Sequence, residues 1–271
     1  MIDFLRGVHP IYQVIIATCF TWIGAAFGAA MVFFIREDIN KKFLDGMLGF
    51  AAGVMISASY FSLIAPAIEM SSHMDVPEWF PPSIGFLMGA IFLRIIDRIL
   101  PHLHRGLPID SAEGIKTSWR RTTLLIMAVT LHNIPEGLAV GVAIGAGEAG
   151  LQAATLSGAL ALALGIGIHN FPEGMIVSMP LRREGFSRFR SFWYGQLSGM
   201  VEPFAGIIGL FAVMVSRPAL PYALGFAAGA MIFVVVEELI PESQRQGNTD
   251  ISTMGLIAGF IFMMMLAIGL G

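Results

Sequence analysis

The sequence predicts an all-α integral membrane protein of eight transmembrane helices, and three observations carry that reading. Of the 271 residues, 56% are hydrophobic and 13% charged, well under the roughly 25% charged residues of a soluble domain. Apolar runs long enough to cross about 30 Å of hydrocarbon, about 20 residues each, recur near 11–35, 46–70, 82–100, 121–146, 151–180, 191–215, 221–241 and 251–270. Two pairs of these runs also resemble each other in sequence.

The first run follows "MIDFLRGVHP", which lacks a basic stretch, a short apolar core and a cleavage site, so the first span is expected to insert itself. The third is short because Arg94, Asp97 and Arg98 fall in its last turns. The single cysteine, Cys19, excludes an internal disulfide or a thiolate cluster and reads as packing. A formal charge of -3 gives no basis for a nucleic-acid partner. With both termini outside, fourteen of the sixteen Lys and Arg residues fall on the inner side, leaving only Arg6 and Arg217 outside. The positive-inside rule selects that orientation. The outer side then carries mainly Asp3, Glu69, Asp75, Glu78 and Glu148, with His9 and His73. Such a surface concentrates cations, although acidic residues are also what positive-inside sorting leaves behind.

"LGFAAGVMISASYFSLI" at 48–64 and "LGFAAGAMIFVVVEELI" at 224–240 agree at ten of seventeen positions. These are the second and seventh spans, which cross in opposite directions. "HNIPEG" from His132 and "HNFPEG" from His169 lie in the fourth and fifth spans, also antiparallel neighbours. The two similarities together predict a 3+2+3 inverted repeat folded around a central helix pair, an arrangement that places a transport site near the membrane midplane.

In a helix, His132 and Glu136 lie four apart on one face with Asn133 beside them, and His169, Asn170 and Glu173 repeat the geometry. Pro135 and Pro172 cannot donate to the carbonyls of Leu131 and Ile168, so each motif is expected to kink and widen its helix. Gly137 and Gly174 permit close helix approach. An ionisable group at a span's centre costs about 2.5 to 3.5 kcal/mol on insertion scales. A single copy would read as a kinked helix with polar cross-links; two copies call for an ion. Imidazole nitrogen with carboxylate oxygen suits a borderline divalent cation such as zinc, and two shared glutamates suit a two-metal bridge.

The sixth span adds Glu202 before Pro203, another carboxylate at a helix break. The seventh ends with Glu237 and Glu238 in apolar surroundings, where one can simply reach the interface. Ser59 and Ser62 are weaker candidates, because membrane serines usually bond back to their own helix. His102 and His104 fall on the inner loop, where solvated histidines are the rule.

With these residues in hand, the sequence resembles the ZIP (Zrt/Irt-like) metal-ion transporters, most closely their GufA-type branch. "HNIPEG", "HNFPEG", "SGMVEPFAG", "GFAAGVMISASYFSLIAPAIE" and "GFAAGAMIF" carry the resemblance, which covers essentially the whole chain. It implies a single eight-helix domain with a 3+2+3 repeat and both termini outside, usually a homodimer, in the plasma (inner) membrane. The implied function is moving zinc, or cadmium, iron(II), manganese or cobalt, into the cytoplasm. By the same resemblance one metal is held by His132, Glu136, His169 and Glu173 with Ser62 nearby, and a second by Asn133, Glu136, Asn170, Glu173 and Glu202. Met55 and Glu69 line the outer approach, and Asp97, His102, His104 and Glu238 the inner exit. Some relatives have Gln-Asp where this chain has His169-Asn170, which firms the first site and makes the second less anionic. Glu237 stands where relatives have histidine.

Two other classes use the same ligand types. An intramembrane metallohydrolase keeps an open metal position for water, but the chain has no HExxH, and both motif glutamates read better as ligands than as a free base. A metal-sensing membrane protein keeps its ion, which the two-sided symmetry argues against. No enzyme activity is expected.

Overall fold

The computed structural model describes residues 5–35, 40–103, 109–148, 154–214 and 217–270. His104 lies outside them. Eight described helices are long and apolar enough to cross a membrane: α1 Pro10–Phe33, α2 Lys41–Ser71, α3 Phe80–Ile99, α4 Thr123–Glu148, α5 Leu156–Arg183, α6 Arg188–Met214, α7 Leu220–Gln244 and α8 Thr249–Leu270. Where their ends depart from the apolar runs, capping chemistry accounts for it. The second helix starts five residues early because the Asn40 side chain accepts from Lys42 N at 2.9 Å and so draws the polar Lys41, Lys42 and Asp45 into the helix. The fifth starts late, because Thr155 Oγ1 accepts from Gly158 N at 2.9 Å and fixes the N-terminus there. Beyond α5 and α7, Gly185 and Gly247 take φ values of +92° and +80°, a left-handed turn that glycine allows without strain.

Helices α4 and α5 run as unbroken α-helix through Pro135 and Pro172. The irregular turns occur elsewhere, as π-helical segments at Ser59–Ile64 in α2 and Val235–Leu239 in α7, with a 3-10 turn at Ser198–Met200 in α6. A π-turn inserts one extra residue into the helical ladder. Pro66 and Pro241 follow the two π-turns closely and lack the N–H that a regular ladder requires. Both π-turns begin at corresponding places, 176 positions apart like the 48–64 and 224–240 segments that contain them.

Helices pack through glycines at which any Cβ would overlap a neighbouring backbone. Gly24 and Gly28 of α1 abut Gly167 and Phe171 of α5. Gly137 and Gly141 of α4 abut Glu202 and Gly206 of α6. Gly49 and Gly53 of α2 abut Ser252 and Leu256 of α8, and Gly85 and Gly89 of α3 abut Tyr222 and Phe226 of α7. In every pair both residue numbers rise together in steps of four, so all four pairs are parallel. In lipid, where apolar burial gives helices no reason to associate, close packing of this kind supplies the attraction. Helices α1, α4, α5 and α6 form one bundle and α2, α3, α7 and α8 another, which meet mainly where α4 packs on α7 and where α2 and α8 pack on α5.

Candidate metal site

Both motif helices turn their polar faces inward. Asn133, Glu136, His169, Asn170, Glu173 and Glu202 are all buried. His169 is the hub: its Nε2 lies 2.8 Å from Glu136 Oε1 on the neighbouring helix and 3.3 Å from Glu173 Oε1 one turn along its own. One ligand atom from each of Glu136, His169 and Glu173 falls within 4.8 Å of the others, close enough to share an ion. Beside them, Asn170 Nδ2 donates to Glu202 Oε1 at 2.8 Å and to the Thr21 carbonyl at 3.2 Å. The 3-10 turn at Ser198–Met200 brings Glu202 into this space.

The donor set fits a divalent cation. Buried polar atoms in native proteins nearly always have a partner. Among the described residues, seven of the eleven buried side-chain atoms without one belong to this group: both amide atoms of Asn133, Glu136 Oε2, His169 Nδ1, Asn170 Oδ1, Glu173 Oε2 and Glu202 Oε2. One imidazole nitrogen, five oxygen acceptors and an amide nitrogen therefore lie idle on three neighbouring helices, α4, α5 and α6. A cation can engage such oxygens and nitrogens together, where protein donors cannot reach them all.

The remaining sequence candidates lie around this centre. His132 is paired with Glu238 of α7, across the seam between the bundles. His132, Glu173, Glu238 and Glu242 line a small cavity of about 50 Å³. A second one, of about 20 Å³, is bordered by Asp97, His102, His132, Glu237 and Glu238. Ser62 lines a separate cavity of about 240 Å³ with Phe61, Pro66, Thr155 and Ala267. Ser59 bonds back to the Met55 carbonyl at 2.8 Å, as membrane serines do. Met55 is fully buried in the core, and Glu69 is exposed with its carbonyl accepting from Ser72 Oγ at 2.7 Å.

His102 corrects the picture of a solvated loop histidine. It is 1% exposed; Nδ1 lies 2.9 Å from the Leu100 carbonyl and Nε2 3.1 Å from Asp97 Oδ1. A two-residue antiparallel bridge sets Glu113 opposite it, and Asp97, His102 and Glu113 form a second group with ligand atoms within 4.8 Å. Arg94 adds a cation, 3.0 Å from Asp97 Oδ2 and 3.9 Å from Glu237 Oε1. Glu113 and Arg94 were not legible as partners, because a bridge between irregular segments leaves no periodicity in the sequence. Glu242, one residue past the seventh apolar run, was not singled out in the sequence.

Comparison with known proteins identifies the family. Residues 109–267 match the family model described as ZIP zinc transporter. The chain is 41% identical to zinc transporter ZIP11 of Homo sapiens, over 98% of this chain and all of that protein. Zinc transporter GufA of Myxococcus xanthus is 35% identical over 92% of this chain and 96% of its own length. Zinc transporter ZupT of Streptococcus mutans is 31% identical, over 93% and 96% respectively. A family match over more than half the chain and full-length likeness to several relatives together establish that this chain belongs to the ZIP transporter family.

Proposed function

We propose that the protein carries zinc across the membrane into the cytoplasm, through a site at which Glu136 and Glu173 bridge two ions. The observation that carries this reading is the cluster of Glu136, His169 and Glu173 with its neighbouring idle atoms on Asn133, Asn170 and Glu202. Family membership and the zinc-transporter names of the relatives support zinc as the substrate. Cadmium, iron(II), manganese and cobalt share its ligand preferences to differing degrees. His132 and Ser62 complete the first ion's shell when the bundles move.

The remaining reading is of one piece with this. Both termini face outside, the chain is one domain arranged as a 3+2+3 inverted repeat, and two copies form a dimer in the plasma (inner) membrane. The matched glycine seams and matched π-turns support the repeat. Cations gather at the acidic outer face, pass Glu69 and Met55, lose water to the carboxylates and imidazoles, and leave past Glu238, Asp97, His102 and His104. The bundle of α1, α4, α5 and α6 shifts against that of α2, α3, α7 and α8, exposing the site to each side in turn.

Purified protein in liposomes holding a zinc-sensitive dye tests this. External zinc should enter with wild type and fail to enter with His169→Ala and with Glu173→Ala. A folded wild type that binds zinc stoichiometrically yet passes none would turn the reading to a metal sensor, and turnover of lipid or peptide to a metallohydrolase.

A further inference from the structure

The inner and outer cavities occupy corresponding places of the repeat but differ in chemistry. Positions in α2 correspond to those 176 later in α7, as the 48–64 and 224–240 segments and the two π-turns require. The glycine seams fix the other pair of helices: Gly85 meets Tyr222 as Gly255 meets Gly46, and Gly89 meets Phe226 as Gly259 meets Phe50. Positions in α3 therefore correspond to those 170 later in α8 (85 to 255, 89 to 259). The outer cavity is lined by Phe61, Ser62, Pro66 and Ala267. Their counterparts are Glu237, Glu238, Glu242 and Asp97, and all four line the inner cavities. Every exchange puts a carboxylate on the inner side. Glu173, 3% exposed and with Oε2 unpartnered, opens onto the inner cavity beside Glu238 and Glu242, so the central site connects with this acidic mouth.

We infer that this replacement makes the inner face the high-affinity face of the carrier, with Glu242 and Glu237 acting beside Asp97 and Glu238 as the residues that set the difference. A cation is held more strongly when the site opens to four carboxylates than when it opens to Phe, Ser, Pro and Ala, and a ligand shifts a two-state carrier toward the state it prefers. Filling the site from outside thus drives the bundle toward the inward-open state. A carrier without an energy source cannot change the final distribution. The asymmetry must therefore appear as a lower half-saturation for zinc on the inner face, matched by a proportionally lower maximal outward rate. Arg94, 3.0 Å from Asp97 Oδ2 and 3.9 Å from Glu237 Oε1, neutralises part of the acidic field, which keeps release possible.

The inference rests on the transport reading above. Its test is zinc flux in each direction, into zinc-free buffer, in uniformly oriented proteoliposomes. Wild type should half-saturate at about tenfold or more lower zinc from the inner face, the lower end of what a focused acidic cleft gives. The combined Asp97→Asn, Glu237→Gln, Glu242→Gln variant should close most of that gap, and Ser62→Glu with Ala267→Asp should lower the outer value. This second variant keeps the test decisive if the first misfolds. Equal half-saturation on both faces of wild type overturns the inference alone, as does a gap that survives in both folded variants. Absence of flux in either direction from zinc-binding wild type overturns the transport reading, and the inference with it.

Discussion

His132 of α4 pairs with Glu238 of α7, so a motif histidine is held by the bundle that does not carry the central cluster. It tops one motif face while its counterpart His169 sits at the hub of Glu136 and Glu173. The two copies of one sequence pattern thus do different work.

His132→Ala removes a proposed ligand and also leaves the Glu238 carboxylate without its imidazole. Loss of an outer partner of a metal site costs about 10- to 100-fold in affinity, and we expect His132→Ala to weaken zinc binding by that factor. Glu238→Gln, which keeps an acceptor beside His132, should weaken it less. Titration calorimetry on the two purified variants gives the comparison, and an equal or reversed order would count against a tie between the bundles.

Asn170→Asp places a second carboxylate where an amide now donates 2.8 Å to Glu202. Without metal the two buried carboxyl groups must share a proton or repel, in place of the amide's charge-assisted bond, and melting should fall by several degrees, at about 2–4 °C per kcal/mol for a chain of this size. Zinc at a hundredfold above its Kd should restore about 2.7 kcal/mol. Bound zinc per chain should move toward two. Melting curves with and without zinc, and metal content by mass spectrometry, read both effects.

Acid should slow transport. Protons compete with metal for imidazole nitrogen and carboxylate oxygen, so metal affinity falls as pH falls. An ordinary imidazole titrates near about 6.5, and zinc uptake at subsaturating zinc should therefore decline between about pH 7.5 and 5. A flat profile over that range would show that metal and protons do not share these ligands.

Gly174→Ala probes the seam behind the site. An alanine Cβ there would overlap the Ala25 carbonyl of α1. Alanine favours a helix over glycine by about 1 kcal/mol, but overpacking typically costs about 1–3 kcal/mol. Here the obstacle is backbone, which cannot rotate aside, so the variant should melt lower. Gly269→Ala meets nothing within 4 Å and should melt the same or slightly higher. Thermal unfolding in detergent separates the two.

Most of this architecture was legible because lipid enforces it. A span must be apolar for about 20 residues, so eight spans stand out, and a polar residue inside one attracts notice at once. That is why His132, Asn133, Glu136, His169, Asn170, Glu173 and Glu202 could be picked out before any fold was known. Proline was a poorer guide. Pro135 and Pro172 mark no break, since neighbouring helices absorb a missing hydrogen bond, whereas the π-turns of α2 and α7 sit just before Pro66 and Pro241. Contacts made by irregular chain left no periodic trace, as with Glu113 against His102. The direction in which His132 turns depends on α7, which lies about a hundred residues away and shares no local pattern with it.

The glycine seams also set a timetable for biogenesis. During synthesis α1 waits for α5, α4 for α6, α3 for α7, and α2 for α8, the longest wait of the four. Until α8 leaves the ribosome, α2 has a row of bare glycines with no matching partner in the bilayer. A ribosome stalled before α8 would leave that notched face open to lipid or to a stray helix, so quality control has one late, identifiable event to monitor: the closing of Gly49 and Gly53 onto Ser252 and Leu256.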